Sequence, residues 1–591
     1  MDERTSAPVG VYVFPEPLPN AARSVSYPQY IHEILTHAGV CYADVSEEDL
    51  EEILPHLSLL VTVGEGTLSD KVKQRLQRWV EDGGAWLSIG GTCGMAEMLG
   101  VEPEPPSYQG WGGGIGTLGE GYLDVRHRTH PVLAHLEIPL HYFSGLPVRA
   151  TEATVLAGVL DAHQRPTSRG GVLERVVQRG RCMLIAPDAV GAVVRIQQGI
   201  AVTRDGVPAP DGTAAACDGV LKSGDGGVLD WLFDRQPVEG APGLSAFLQP
   251  IADQWRELIL RAIFYLATQQ GIPLPVLWLY PRDLPALAHL SHDTDQNDLD
   301  RARQLLGVLE AERIHSTWCV VLPGYGPELI RDIRAAGHEL AMHYDAMSEG
   351  RVWDERSFDQ QWRELTGLFE GEAPVTNKNH YLRWEGDTEF FDWCASRGIR
   401  LDQSKGASKT GEAGFNFGTC HPYLPVAPDG RLIQVLELPT LTQDLVVFAP
   451  EALAEPLIQA AFRHHGIVHF LFHPVHIDKP GVADALRSAI RRARALGMEW
   501  WTARQISQWE FARREARWSR YERTREGASV CLRAGQPLPE ATVLWLGCVV
   551  ERVEINGEEI ETRSVQRWGF TFRSLIFDAQ SDYEYTIELT R

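Results

Sequence analysis

The stretch AHLSHDTDQN, residues 288–297, places a histidine and two aspartates together just after an apolar run, at His292, Asp293 and Asp295. Carboxylates that cluster at the end of a buried strand are destabilised by desolvation and by mutual repulsion, unless a cation or a reaction uses them. Taken alone, the stretch is compatible with a turn or helix cap and also with a functional site.

From residue 286 onward, apolar strands alternate with amphipathic helices. The strand-like runs include ALAHLSHD, STWCVVL, HELAMHYD and GIVHFLFHP, and the helix-like runs include NDLDRARQLLGVLEAERI, PELIRDIRAAG and VADALRSAIRRARALG. Repeated βα units of this length predict a (β/α) barrel, in which the chemistry lies at the carboxyl ends of the strands.

The regions on either side of this barrel have different patterns. Residues 9–90 also alternate strands and helices, which predicts a parallel, doubly wound α/β domain. From about residue 520 the chain shows short strands and an Asn-Gly turn, which predicts a small β-sandwich. The proline-rich stretch GIPLPVLWLYPRDLP fits a linker or a domain entry. We therefore predict three domains, 1–275, 276–518 and 519–591.

Bulk composition limits the partners and the location. The 591 residues include 55 Lys and Arg and 79 Asp and Glu, a formal net charge of −24, which argues against nucleic acid or an anionic membrane as the main partner. No secretory leader or membrane-spanning run is evident. The nine cysteines are scattered without pair spacing, as expected for reduced, packed thiols. We expect a cytoplasmic protein, and leave open whether identical chains assemble.

Three later strand ends of the predicted barrel also carry histidine, at His343, His380 and His473. Because the carboxyl ends of parallel barrel strands meet around one mouth, these side chains should converge with the two aspartates. An aspartate and two histidines around an open position suit Zn²⁺ or a similar divalent ion, and a second carboxylate beside it could act as a base on water.

These motifs resemble those of a known enzyme family. Residues 286 to about 510 resemble the polysaccharide deacetylase family (carbohydrate esterase family 4), whose fold is a distorted (β/α) barrel and whose members remove acetyl groups from amino sugars with a divalent metal. In HDTD, the resemblance implies that Asp293 is the general base and Asp295 a metal ligand. In GHELAMHYDAM, His343 matches the first histidine ligand, but Met347 stands where the family usually has the second.

A thioether is a poor ligand for Zn²⁺, so Met347 does not replace an imidazole. The family's third motif usually carries an arginine, whereas NKNHYLRW offers Lys378, His380 and Arg383. We infer that His380 supplies the missing imidazole. Lys378 would then hold Asp293 ionised, although Arg383 could do so too. Alternatively, His380 is a substrate or packing residue, and metal binding is weak or absent.

The remaining motifs imply the proton donor and the substrate contacts. IRLDQSKG supplies Asp402 and VHFLFHPVHI supplies His473; in the family, the histidine protonates the leaving amine while the aspartate holds it. Tyr344, Tyr381, Trp384 and Arg383 are the candidate sugar-binding residues, with core or rim packing as an equal interpretation of the aromatic ones. The expected function is metal-dependent deacetylation of an amino sugar or polysaccharide; the alternative is a non-catalytic carbohydrate-binding or scaffolding protein with a relic site.

Residues 1–275 resemble the class I glutamine amidotransferase-like fold. LSIGGTCGMAEMLG places Cys93 where that fold has its nucleophile, on a sharp strand-to-helix turn. A working glutaminase also needs a His-x-Glu pair late in the domain, and the sequence has none there. We therefore expect Cys93 to be a buried structural thiol.

Overall fold

A computed structural model of the chain describes residues 7–15, 27–104, 118–125, 128–206, 219–408, 410–524, 527–547 and 552–590. They form two compact units. The first contains the described residues of Met1–Val193, Gln254–Asp283 and Phe511–Arg591, and the second those of Val194–Asp253 and Leu284–Glu510. The three consecutive domains stay a prediction.

The second unit is built on a curled sheet in which every pair of neighbouring strands is parallel. We number its strands β1 Leu287–Asp293, β2 Thr317–Val320, β3 Glu339–Tyr344, β4 Thr376–Asn379, β5 Leu401–Asp402, β6 Leu436–Glu437, β7 Thr442–Gln443, β8 Ile467–Leu471 and β9 Glu499–Trp500.

The order of these strands brings the two edges of the sheet together. It is β6-β5-β4-β3-β2-β1-β8-β7, with β9 paired to β1. The edge strands β6 and β7 are separated along the chain only by residues 438–441. Because so short a segment joins both edges, the sheet must curl on itself, and this agrees with the predicted barrel-like sheet.

Helices follow most of these strands, as the alternation predicts. Asp298 begins the first of them by accepting a hydrogen bond from the backbone N–H of Arg301 at 3.0 Å, and Asp354 does the same for Ser357 at 2.7 Å. The helices within the unit are Leu299–Glu312, Pro327–Ala335, Glu355–Leu368, Glu389–Ser396, Ala454–Arg463 and Val482–Ala495. Three others, Ala189–Gln198, Ile251–Gln269 and Ala503–Arg514, contain points where the chain passes from one unit to the other.

Successive side chains of β1 point alternately into an apolar layer and into a polar interior of the curled sheet. Ala288 and Leu290 belong to the apolar core. The alternate residues point the other way: Ser291 Oγ lies 2.9 Å from Nε2 of His469 on β8. The interior of this sheet is therefore partly polar, and Ser291 and His469 hydrogen-bond to each other there.

The first unit contains a nine-stranded sheet. Its parallel half agrees with the predicted alternation, and an antiparallel half follows it. In spatial order the strands are Tyr42–Asp44, Val9–Val13, Leu59–Val63, Ala85–Ile89, Gly180–Ile185, Pro166–Val177, Thr154–Asp161, Gly121–Leu123 and Leu140–Tyr142. Val101–Pro103 pairs with Val148–Ala150. Its helices are Ile31–Ala38, Glu47–Ile53, Asp70–Glu81 and Ala96–Leu99.

The end of the chain forms strands of two antiparallel sheets, as expected for a sandwich. One has the order Leu274–Leu277, Leu538–Leu546, Phe570–Ala579, Arg563–Arg567, and the other the order Arg517–Arg523, Gly527–Arg533, Glu584–Thr590, Arg552–Ile555, Glu558–Glu559. The rings of Phe577 and Tyr585, one from each sheet, are 5.0 Å apart. The proline-rich stretch is therefore more than a linker, because it supplies Leu274–Leu277 as a strand.

Two expectations from composition can be compared with the described residues. No helix in the described part of the chain combines the length and apolar character needed to cross a membrane. The seven cysteines that the structure describes are buried thiols that form no disulfide with one another. Cys217 and Cys548 lie outside the described residues.

Candidate active site and metal centre

The candidate site lies where the parallel strands of the second unit end. Asp293 is the last residue of β1, and Asp295 begins a short 3-10 turn after it. His343 is in β3, directly opposite Lys378 of β4. His380 follows β4 by one residue, and His473 follows β8 by two. These positions are at one end of one curled sheet, as predicted.

The structure brings Asp295, His343 and His380 together. His343 Nε2 is 3.4 Å from one carboxylate oxygen of Asp295, and His380 Nε2 is 3.6 Å from the other. Each of the three residues offers a ligand atom within 4.8 Å of the other two. Ligands of a tetrahedral zinc ion, with bonds of about 2.0–2.1 Å, lie about 3.4 Å apart. The spacing therefore fits a single ion with little movement of the side chains.

Hydrogen bonds fix which nitrogen of each imidazole faces Asp295. His343 Nδ1 donates to the backbone carbonyl of Lys378 at 2.9 Å, and His380 Nδ1 donates to the carboxylate of Asp345 at 3.1 Å. In the neutral rings, these hydrogen bonds leave the Nε2 lone pairs directed toward Asp295, which is the tautomer that a metal ligand needs. Asp345, which the sequence analysis did not single out, thus orients the ring of His380.

Buried polar atoms that lack a hydrogen-bond partner indicate whether a cation would fit this site. In the part of the chain that the structure describes, Asp293 Oδ1, Asp295 Oδ1 and His343 Nε2 are all buried and have no hydrogen-bond partner. A buried acceptor without a donor is costly, and three of them in one place are unusual in a stable protein. A divalent cation would satisfy such acceptors, and one carboxylate with two imidazoles is a common catalytic zinc donor set.

The ionisable side chains of the site shift one another's pKa values. Burial alone would raise the pKa of Asp295, but His343 and His380 outweigh it and hold that pKa far below its usual range. Burial alone would lower the pKa of His380, yet Asp295 and Asp345 raise it to about 10. Both shifts have one cause, the attraction between carboxylates and imidazoles, which favours the charged form of each.

Asp293 lies beside the cluster and close to a buried cation. Its Oδ2 is 3.8 Å from His343 Nε2, and its Oδ1 is 3.8 Å from Lys378 Nζ. The Lys378 ammonium is fully buried and donates to Ser291 Oγ at 2.5 Å. Arg383, the alternative partner of Asp293, contacts Glu385 and the carbonyl of Ala346. Lys378 is therefore the cation next to Asp293.

His473 faces the same carboxylates from another strand end. Its Nε2 is 3.7 Å from Asp295 Oδ2 and 3.9 Å from Asp293 Oδ2. Its Nδ1 donates to Asp444, which also accepts the backbone N–H of His473 at 2.8 Å. Burial alone would lower the pKa of His473, but Asp444 with Asp293 and Asp295 raises it to about 9.

The carboxylate that holds His473 is a correction to the expectation. Asp402 was expected in that role, but its oxygens accept from Asn377 Nδ2 at 2.7 Å and from Ser404 Oγ at 2.8 Å. Asp402 is fully buried within β5, where it contacts this polar network. Asp444, which directly follows β7, holds His473 instead.

The expected sugar-binding residues also need correction. Tyr344 is 1% exposed and its hydroxyl donates to the carbonyl of Val352 at 2.9 Å, while Trp384 is 0% exposed. Neither ring can stack on a sugar in this conformation. Arg383 is engaged with Glu385 and Ala346, as described above. Tyr381, 56% exposed and beside His380 with ring centroids 4.8 Å apart, is accessible to a ligand.

Two further groups of described residues could hold a metal ion by proximity alone. In one of them, Asp253 already accepts from Thr419 Oγ1 at 2.7 Å and from the backbone N–H of Cys420 at 2.7 Å. The other group, Asp444 with His473 and His476, adjoins the site described above.

Cys93 has the backbone of a sharp turn but not the environment of a nucleophile. It lies between the strand Ala85–Ile89 and the helix Ala96–Leu99 with a φ of 56°, and its thiol is fully buried. Burial raises the pKa of the thiol to about 12, although Thr62 and Ser88 contact it. A thiol in this state is inert at neutral pH, as expected. The amidotransferase-like assignment of this region stays a prediction.

Comparisons with known proteins give partial likenesses. No protein-family model matches the sequence, and no curated protein matches it. A protein named as a polysaccharide deacetylase from Mycobacterium smegmatis matches with a TM-score of 0.30 and 20% identity over 40% of this chain and 92% of its own. A family 4 acetyl xylan esterase from Clostridium thermocellum, solved with a cobalt ion, has a TM-score of 0.23 and 15% identity over 38% of this chain and 90% of its own. A β-galactosidase from Bacillus circulans has a TM-score of 0.25 and 14% identity over 32% of this chain and 30% of its own. With TM-scores this low, the likenesses assign neither family nor activity.

Proposed function

We propose that the second unit is a metal-dependent hydrolase that removes an acetyl or similar acyl group from an amino sugar or polysaccharide. The observation that supports it best is the convergence of Asp295, His343 and His380, with buried acceptors that lack donors, next to a further carboxylate and a further imidazole. The carbohydrate substrate comes from the motif resemblance. We expect no nucleic-acid or membrane partner and a cytoplasmic location.

The arrangement supplies a base and a binding site on one side of the scissile bond. A divalent ion held by Asp295, His343 and His380 would polarise the acyl carbonyl and make water more acidic. Asp293 accepts the proton that the attacking water loses, since its Oδ1 is buried without a hydrogen-bond donor. Lys378 Nζ lies 3.8 Å from the same Oδ1, so a positively charged group stands beside the base.

His473 completes the reaction on the other side. Breaking the C–N bond of an amide leaves an amine that must gain a proton, because an amide anion is a very poor leaving group. Asp444 fixes the ring so that Nε2 points toward Asp293 and Asp295. From this position Nε2 can deliver a proton to the departing nitrogen, and the products are a carboxylate and a free amine.

One observation favours the alternative, a non-catalytic carbohydrate-binding protein with a relic site. Met347 occupies the family's usual second ligand position, and its sulfur lies 3.7 Å from Arg383 Nη1. If His380 did not replace that ligand, the remaining donors would hold a cation weakly.

Elemental analysis of protein purified without added metal or chelator separates the two functions. We expect about one equivalent of zinc or a similar ion in the wild type, and its loss in His343→Ala and His380→Ala. Asp293→Asn should keep the metal and lose acetate release from acetylated sugar oligomers, while His315→Ala, an exposed histidine of the same unit, should change neither. A metal-free wild type with no hydrolysis of any acetylated sugar would refute the proposal.

A further inference from the structure

The group Asp444, His473 and His476 has a donor set like that of the first site. One carboxylate and two imidazoles offer ligand atoms within 4.8 Å of one another. Asp444 is fully buried, and its Oδ2 faces Nδ1 of His473 and, at 3.2 Å, Nδ1 of His476. Two ring nitrogens therefore converge on one carboxylate oxygen.

Local sequence explains why the two histidines lie on the same side. Pro474–His476 forms a single 3-10 turn that begins with a proline, and His476 N–H donates to the carbonyl of His473 at 3.1 Å. Side chains three residues apart eclipse one another in a 3-10 helix, and proline fixes the φ angle that starts it. The sequence HPVH thus builds a two-imidazole clamp.

The Nδ1 atom of His476 is a second observation that favours a bound ion at this group. It is buried and makes no hydrogen bond, although Asp444 Oδ2 is only 3.2 Å away. The nitrogen is thus close to the carboxylate but not aligned with it. A buried ring nitrogen without a partner is unfavourable, and an ion between the nitrogen and the carboxylate would satisfy both.

The backbone that carries Asp444 is strained. Asp444 has a φ of 23° and Val446 a φ of 78°, both in the left-handed region that non-glycine residues rarely adopt. Such strain persists where surrounding contacts enforce it, often at ligand clamps. Phe448, in the same turn, places its ring 5.3 Å from that of His476 and covers one side of the group.

We propose that Asp444, His473 and His476 form a second, inhibitory cation site, which takes Zn²⁺ or a similar imidazole-binding ion. The ion displaces the Nδ1 proton of His473 to solvent and takes its place between that nitrogen and Asp444. The Nε2 proton that remains could then leave only by forming an imidazolate, so His473 becomes a much weaker acid. The binding site stands on its own geometry, whereas the inhibitory effect rests on the proposed hydrolysis.

Titration of the metal-free protein with zinc alone, by calorimetry and by equilibrium dialysis with elemental analysis, tests the site. We expect two zinc ions per wild-type chain, of which the weaker is absent in His476→Gln and the tighter is absent in His380→Ala. His315→Ala should keep both. Melting curves of each variant show whether it is folded, and His476→Asn repeats the test with a smaller side chain.

Enzyme assays in excess zinc test the consequence. Acetate release should fall about tenfold or more as the second site fills, because a positioned general acid contributes at least that much, and His476→Gln should resist this inhibition. A wild type that binds one ion at saturation, or a second ion that persists in His476→Gln, would overturn the second site. If the protein releases no acetate but still loses one of two ions in His476→Gln, the proposed hydrolysis fails while the site stands.

Discussion

Asp444→Asn is the most informative single change at the candidate site, because it preserves size while it removes one acceptor. In the wild type, one carboxylate oxygen accepts the backbone N–H of His473 at 2.8 Å and the other accepts its Nδ1–H. Asparagine has one oxygen. If that oxygen keeps the backbone bond, the amide nitrogen faces Nδ1, and two donors cannot face each other. Nδ1 must then give up its proton and accept, so that the single proton of a neutral ring resides on Nε2.

The size of the effect follows from this tautomer. A neutral ring with its proton on Nε2 can protonate an amine only by becoming an imidazolate, which removes general acid catalysis. A positioned general acid contributes about 10²–10⁴ in rate. We therefore expect kcat for an N-acetylated sugar oligomer to fall by about 10²–10⁴, equivalent to about 3–5 kcal/mol in activation free energy. The ion held by Asp295, His343 and His380 should be retained, because these three residues are untouched.

The assay compares two leaving groups. Acetate release from the acetylated oligomer requires a proton on the departing amine, whereas para-nitrophenyl acetate releases a stable phenolate without one. Asp444→Asn should therefore lose the first activity and keep most of the second. Asp402→Asn is the matched control, since Asp402 was the residue expected from the motif pattern but contacts Asn377 and Ser404. Equal loss of both activities in Asp444→Asn, or a selective loss in Asp402→Asn instead, would refute the assignment.

Three further changes test other parts of the second unit. Asp345→Asn should weaken zinc binding about 10- to 100-fold, measured by calorimetry, because it replaces the charged acceptor that orients His380 by a neutral one; unchanged affinity would exclude this role. Trp384→Ala should lower the free energy of unfolding by about 3–5 kcal/mol in urea titrations, because the ring is fully buried against Phe390 and Phe391; a loss below 1 kcal/mol, on the order of a surface change, would contradict the packing. Burial is the main cause that lowers the pKa of His289 to about 4. Between pH 6.5 and 4 the unfolded chain therefore binds a proton that the folded chain does not. As the pH is lowered through this range, the free energy of unfolding should fall by up to about 3 kcal/mol. In His289→Gln that part of the pH dependence should be absent, and identical slopes for the two proteins would show that His289 is not held neutral.

The convergence of Asp295, His343 and His380 could be predicted from the sequence because each lies at or just after the end of a predicted strand, and parallel strands bring such ends together. Asp444 could not. Its strand, Thr442–Gln443, has two residues and no alternation, and its side chain reaches His473 through a backbone with a φ of 23°. Sequence patterns of hydrophobicity do not encode such a conformation.

The burial of Tyr344 and Trp384 could not be predicted from the sequence either. Tyr344 is the last residue of β3, and Trp384 follows β4 after a short turn. Both are near strand ends, so the local pattern predicts that they can reach the mouth as His380 does. In the structure they contact a cluster of rings from two helices and a loop: the Tyr344 ring is 5.1 Å from that of Phe358, and the Trp384 ring is 5.2 Å from that of Phe390. Only the packing of these separate elements decides which rings are covered.

The altered ligand pattern can be understood as one local rearrangement. The segment after β3 supplies Asp345, whose carboxylate accepts from His380 and from the backbone N–H of Met347 at 2.8 Å. Arg383 reaches back to the sulfur of Met347 at 3.7 Å. In the proposed site, Met347, at the usual ligand position, and His380, which would replace it, are thus joined through the carboxylate of Asp345. If His380 supplies an imidazole to the proposed site, its ring must be held toward Asp295, and the hydrogen bond to Asp345 provides that orientation. This coupling explains why His380 and Asp345 should be studied as a pair, since removing either leaves the other without its function.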